Sequence, residues 1–183
     1  MDNLYHQQQR GVTFLEVIVV VAITGMLLML AGPSFTGSTQ RFRTLGRANE
    51  LVRDLQFARA EAIKQGVPVT VCASTDGSTC SASSNAWNKG WLTYSNPTSS
   101  TTVAAGSIVR IQKGWTGTDT MTADNSVSAV TFSREGFTVG LPGTGTVTFT
   151  LHTNPANTAA TQCVAIIKTG RVQVQSAGTG ACT

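Results

Sequence analysis

Hydrophobic and polar positions divide the chain into three stretches with different periods. A polar opening, Met1 to Arg10, gives way at Gly11 to Val12, Phe14 and Leu15, and then to the uninterrupted run Val17 to Gly32. That run holds 16 uncharged residues, about 24 Å of helix at ~1.5 Å per residue. With Phe14, Leu15 and Phe35 it approaches the ~30 Å hydrocarbon core of a bilayer, so residues 12–38 are expected to form a single membrane-spanning helix. Pro33 removes a backbone donor and crowds the preceding turn, which predicts a helix bend there. From about Thr39 to Gln65, Leu45, Ala48, Val52, Leu55, Ala58 and Ala62 recur at three- and four-residue steps, the mark of an amphipathic helix. Gly66 and Pro68 end it, and its apolar stripe is expected to pack on a sheet.

Beyond Gly66 the pattern changes to short runs rich in β-branched residues. Strands are predicted at Val67–Ala73, Gly90–Tyr94, Ile108–Ile111, Ala129–Phe132, Thr146–Leu151, Cys163–Ile167 and Arg171–Val174. Lys168-Thr169-Gly170 reads as a tight hairpin turn, and the run from Gly140 to Gly145 as a second hairpin. The fold class is therefore α+β: one long N-terminal helix, half of it transmembrane, packed on an antiparallel β-sheet head.

Composition changes this picture little. Charged residues make up 12% of the chain, and the formal net charge of +4 permits weak attraction to anions without requiring it. Six of the 13 Lys and Arg residues lie on the amphipathic stretch: Arg41, Arg43, Arg47, Arg53, Arg59 and Lys64. Glu50, Asp54 and Glu61 share it, so a solvated face of short-range ion pairs is expected, the alternative being that Arg41 and Arg43 meet lipid headgroups before assembly. The four cysteines, Cys72, Cys80, Cys163 and Cys182, contain no Cys-x-x-Cys spacing, and the two histidines, His6 and His152, add little to a zinc site. Two disulfides in an extracytoplasmic compartment fit better. Three connectivities are open, with Cys72–Cys80 and Cys163–Cys182 favoured. No serine carries a nucleophile-elbow pattern, and the Gly140 to Gly145 run lacks the Lys-Ser/Thr of a phosphate loop. No catalytic site, metal or cofactor is expected.

Glu16 is the residue a plain membrane anchor leaves unexplained. A carboxylate at the edge of an apolar span costs a few kcal/mol in lipid and calls for a cation. The small residue Gly11 also precedes the apolar run, whereas an ordinary signal peptide is cut after it.

Gly11-Val-Thr-Phe-Leu-Glu16 resembles the class III leader of type IV pilins and type II secretion pseudopilins. The resemblance implies that a prepilin peptidase cuts between Gly11 and Val12 and that Val12 is N-methylated. Val12 stands where the family usually has phenylalanine. Glu16 becomes the fifth mature residue and an assembly contact, paired with the new terminal amine of a neighbouring subunit. Pro33 falls 22nd in the mature chain, where such stalks commonly carry a helix-bending proline. The segments Leu51–Ile63, Val67–Cys72, Lys89–Tyr94, Val130–Gly136 and Cys163–Arg171 resemble the minor pilin and pseudopilin group that includes GspH, FimT and FimU.

The resemblance implies a minor pilin that helps initiate or cap a type IV pilus, or else the H pseudopilin of a type II secretion system. Its expected partners are prepilin peptidase, other minor and major pilins or pseudopilins, the inner-membrane assembly platform and the lipid bilayer. The expected organisation is a leader at 1–11, a membrane and assembly helix at 12–38 and a head at 39–183. The protein would sit in the bacterial inner membrane as a single-pass chain with its head in the periplasm, then enter a pilus or pseudopilus.

Some FimT-type proteins take part in DNA uptake and carry a C-terminal Gly-Arg-x-Arg motif. The matching stretch here is Gly170-Arg-Val-Gln173, with glutamine in place of the second arginine. Lys168, Arg171 and Gln173 are therefore the candidate DNA contacts, with Arg110, Lys113 and Arg134 as further cations. DNA is the partner in that reading, with the chain as a receptor at the pilus tip.

Overall fold

The computed structural model describes residues 11–81, 86–98, 100, 102–180 and 182, without the side chains of residues 30–35. Met1 to Arg10 of the expected leader, 1–11, lie outside the described residues, and so does the side chain of Pro33. The chain forms two compact units, Met1–Thr36 and Gly37–Thr183.

In the first unit the helix α1 (Phe14–Gln65) begins. Thr13 starts it: its hydroxyl accepts the Glu16 N–H at 3.2 Å, satisfying one of the four donors that a helix start leaves open. The described part of this segment is apolar around its whole circumference. Phe14, Leu15 and Met29 are 82%, 72% and 84% exposed, and residues such as Val17, Ile18 and Met26 on other faces are exposed as well. The one hydroxyl in the middle, Thr24, donates back to the Val20 carbonyl, so no polar side chain there is left without a partner. Among the described residues, no helix is long and apolar enough to cross a membrane. Helical assignment continues through Pro33, so the two predicted helical stretches are one element. A proline deletes a single intrahelical bond, and the bonds on either side can continue the helix.

The second unit packs the later part of α1 on two antiparallel sheets. The strands are β1 (Val69–Ala73), β2 (Gly90–Ser95), β3 (Ile108–Lys113), β4 (Thr120–Ala123), β5 (Ala129–Phe132), β6 (Thr138–Val139), β7 (Thr146–His152), β8 (Gln162–Ile167) and β9 (Val172–Ser176). One sheet has the order β3-β2-β1-β5-β6 and the other β4-β7-β8-β9. Ala48, Leu51, Leu55, Ala58 and Ala62 form the buried stripe of α1, in one core with Val71, Trp91 and Phe132 of the first sheet and Phe149 and Ile166 of the second. Each fully buried leucine or phenylalanine contributes about 1.5–3 kcal/mol. Trp87 meets Phe149 edge-on at 4.8 Å between ring centres, and its indole N–H donates to the Val127 carbonyl. Small residues at 48, 58 and 62 let the helix approach the sheets closely.

Several sequence expectations change here. The Gly140 to Gly145 run is not a hairpin: it carries the chain from β6 in the first sheet to β7 in the second. β7 pairs with β4 and β8 instead, because its buried Val147, Phe149 and Leu151 face the shared core. β4 and β6 are missing from the sequence reading. Thr120-Met-Thr-Ala has no β-branched apolar residue, yet it alternates exposed and buried positions, with Met121 and Ala123 inside. Val67 stays outside β1, which starts after Pro68, a residue with no N–H to give to a ladder. The turn at Lys168 to Gly170 does join β8 to β9, with the Gly170 N–H donating to the Ile167 carbonyl at 2.8 Å.

Both disulfides are closed as Cys72–Cys80 and Cys163–Cys182. The second spans 19 residues and ties the penultimate residue to β8. Such a loop constraint is worth about 3 kcal/mol against the unfolded chain.

Candidate functional site

The two groups of predicted site residues lie in different units. At the amino terminus, Gly11 and Val12 are exposed coil and Glu16 sits in the first turn of α1. Thr13 and Glu16 occupy the first and last positions of a Ser/Thr-x-x-Glu capping pattern directly ahead of an apolar run. The sequence reading assigned Glu16 to assembly alone and passed over this signal. A carboxylate at the third helical position also complements the positive end of the helix dipole. Glu16 is thus compatible with helix initiation as well as with a cationic partner.

In the head, Arg171 and Gln173 are brought together: the Arg171 guanidinium donates to the Gln173 side-chain oxygen at 2.9 Å. Both flank Val172 at the start of the edge strand β9. Lys168 lies in the preceding turn, its aliphatic chain lying over Gly145, which has no Cβ to obstruct it. The other candidate cations lie elsewhere, two of them paired with acids. Arg110 lies 3.3 Å from Asp54 and stacks on Phe57, and Arg134 pairs with Glu135 at 2.7 Å. Lys113 ends β3, in the other sheet. Two cations neutralise about two phosphates, well short of the 6–10 contacts typical of tight DNA binding.

The expected solvated face of α1 needs two corrections. Among the described residues, Arg43 forms no short-range pair but a two-pronged one with Asp119, 76 residues on, at 2.6 and 2.8 Å. Asp54 is fully buried. Its Oδ2 accepts the Trp91 indole N–H at 2.9 Å, while Arg110 and Arg53 stand 3.3 and 3.6 Å from Oδ1. The signal was present in the sequence, since position 54 is three residues from Leu51 and four from Ala58, inside the apolar stripe. Arg47–Glu50 and Lys64–Glu61 are the short-range pairs that were expected.

Asp76 organises the loop that carries Cys80. Its carboxylate accepts from the Ser78 and Thr79 N–H groups and from the Thr79 hydroxyl at 2.7–2.9 Å. The two backbone donors, Ser78 first, hold its pKa well below the usual carboxylate range. A depressed folded pKa gives a contribution that is complete above the ordinary value and is lost only as pH falls through the folded one. The Ser78 and Thr79 amide resonances are therefore expected to stay unchanged from neutral pH down to about pH 3, below the ordinary Asp value of ~3.9. A midpoint near pH 4 would remove these bonds from the account.

These features sit on a recognisable frame. Residues 47–170, from the buried face of α1 to the end of the β8–β9 turn, match the family described as Type II transport protein GspH. The chain belongs to the GspH family. A prokaryotic N-terminal methylation motif covers residues 6–32, including Gly11, Val12 and Glu16. Among solved structures, this GspH-family chain is similar to the type IV minor pilin FimU of Pseudomonas aeruginosa in two crystal forms. The TM-scores are 0.56 and 0.53, each at 25% identity, covering 75% and 72% of this chain and 91% of FimU. No curated protein matches the chain. The protein is a minor pilin or pseudopilin of the GspH/FimU type, with the family and fold of structural subunits rather than enzymes. That membership implies prepilin processing and contact with other pilins.

Proposed function

We propose that this protein is a minor subunit that helps start or cap a type IV pilus, held in the inner membrane as a single-pass chain until it is assembled. One observation carries the reading: a GspH-family head follows a helix whose described start is apolar all round, exposed, and interrupted by a single carboxylate. Monomeric soluble proteins rarely leave a surface of this kind uncovered. A bundle of like helices, or lipid before assembly, would cover it, with the platform and the peptidase acting on the membrane-held form. The likeness to FimU supports a pilus over a secretion pseudopilus. Cleavage after Gly11 creates an amine on Val12, the N-methylation site, four residues from Glu16. In an assembled bundle, that amine on a neighbouring subunit neutralises Glu16, so that neither charge is buried alone. Pro33 is then the bend of the stalk.

The capping role of Glu16 and the pairing role are separable. Glu16→Gln keeps a residue suited to the capping pattern and removes the charge, whereas Glu16→Ala removes both. Both variants are expected to accumulate at normal levels in membranes and to fall at least tenfold in sheared pilus fractions, read by immunoblot. Normal incorporation of Glu16→Gln would show that charge pairing plays no part.

A further inference from the structure

The face of the first sheet turned away from α1 carries a cleft of about 570 Å³ that the assembly reading does not use. Its floor is one row of cross-strand neighbours. Tyr94 of β2 pairs with Thr70 of β1, Thr70 with Thr131 of β5, and Thr131 with Val139 of β6. Side chains directly opposite one another in adjacent strands lie on the same side of a sheet, so these four form a continuous strip. Val103 and the disulfide-bonded Cys80 contribute apolar surface at the walls, and Ser81 and Thr102 contribute hydroxyls.

The floor is held rigid by a polar network. Asn96 donates through Nδ2 to the Thr70 hydroxyl at 3.0 Å and to the Ser100 carbonyl at 3.0 Å, while its Oδ1 accepts the Ser100 N–H. Tyr94 donates its phenol proton to that same Ser100 carbonyl. The hydroxyls of Thr70 and Thr131 lie 2.8 Å apart, and one must donate to the other. If Thr70 donates, the Thr131 proton is left over. If Thr131 donates, Thr70 accepts from both Asn96 and Thr131 and passes its own proton to the Tyr94 phenol oxygen. The Thr70, Thr131 and Tyr94 hydroxyls thus line the cleft as groups able both to donate and to accept.

The lining also restricts what can bind. Among the described residues that line it, none is Asp, Glu, Lys, Arg or His, so a phosphate, a nucleic acid or a metal ion would meet no countercharge. An extended peptide would lie across side chains rather than along an edge, because β1, β2 and β5 of the floor pair on both sides and the edge strand β6 is only two residues long, and it would lose its own backbone bonds. The volume lies within the 300–1,000 Å³ typical of ligand sites. Hydroxyls that both donate and accept, set among valines and threonine methyls, suit a ligand with the same mixture: ring hydroxyls on its edges and C–H groups on its faces. We propose that this cleft binds a neutral oligosaccharide. The site rests on the first sheet alone and is independent of the pilus assignment.

Saturation-transfer NMR on the full chain, in a detergent without a sugar headgroup, tests this with maltotriose, cellotriose and triacetylchitotriose. At least one is expected to bind with Kd of about 1 mM or tighter. Thr131→Val removes the floor hydroxyl without changing shape, and Val139→Arg places a charge at a position that is 55% exposed and so tolerates it. Each is expected to weaken binding at least tenfold while the thermal midpoint stays within a few degrees of the parent. No transfer to any of the three neutral probes overturns the proposal. Binding that both variants leave unchanged overturns it too, as does binding confined to a uronic-acid trisaccharide.

Discussion

Replacing Asp54 with alanine is expected to lower the stability of the protein by about 1–3 kcal/mol, the cost of leaving a buried donor without its acceptor. Asp54 is fully buried, and three groups converge on it: the indole N–H of Trp91 and the guanidinium groups of Arg110 and Arg53. Without the carboxylate, the indole N–H of the buried Trp91 has no acceptor and Arg110 keeps a charge against the helix with only Phe57 beneath it. Arg53 is exposed and loses little, because water serves it equally well. Urea unfolding of the full chain, followed by tryptophan fluorescence, measures the effect. Asp54→Asn retains an oxygen for Trp91 and should lose less than alanine does. The paired change Asp54→Leu with Arg110→Met should recover part of the loss, since apolar replacement of both partners is often close to neutral. A loss under about 1 kcal/mol for Asp54→Ala would mean that water reaches the site and the pair is effectively exposed.

Gly170→Ala should be the most damaging of the glycine substitutions in the turns of the head. Its φ is +75°, where a side chain costs about 1–2 kcal/mol. Conformation is the lesser part of the effect. A Cβ at 170 would overlap the Gly136 carbonyl oxygen, a backbone atom, and would lie 3.1 Å from Arg59 Nε. Neither can withdraw cheaply: Gly136 ends a turn whose N–H donates to Ser133, and Arg59 donates to the Gly170 carbonyl itself. Gly143→Ala separates the two effects, because Gly143 also has positive φ, at +57°, but open space where its Cβ would stand. Gly143→Ala is expected to cost about 1–2 kcal/mol and Gly170→Ala at least about twice as much, read as the difference in urea midpoint at constant slope. Equal losses would remove the contact between the two turns from the explanation.

The features legible in the sequence are those with a local period or a local motif. The long helix, seven of the nine strands and the turn at Lys168 to Gly170 each carry their signal within a window of several residues. The leader motif is equally local, which is why Gly11, Val12 and Glu16 are legible in the sequence. The Thr13–Glu16 capping pattern is just as local, but the leader motif gives the same carboxylate a second role that masks it. Asp54 is the instructive miss. Its place on the apolar stripe was visible, but an acid on a helix with several arginines reads as solvated until its neighbours across the core are known.

Tertiary structure decided what depends on residues distant in the chain. Whether the Gly140 to Gly145 run closes a hairpin or crosses between sheets rests on which partner β7 finds, and that is set by a core shared with α1. The cations of the head, similar in the sequence, became unequal because Arg110 found Asp54 and Arg134 found Glu135, while Lys168 and Arg171 found no acid among the described residues. The cleft is the clearest case: Thr70, Tyr94, Thr131 and Val139 come from four different strands and meet only through strand register. Sequence alone determined the class of this protein, because an apolar helix with one early carboxylate and a glycine before it is a contiguous chemical statement. The surfaces of its head needed the fold, because a surface is made by pairing, and each pairing weighs one strand against every other the chain offers.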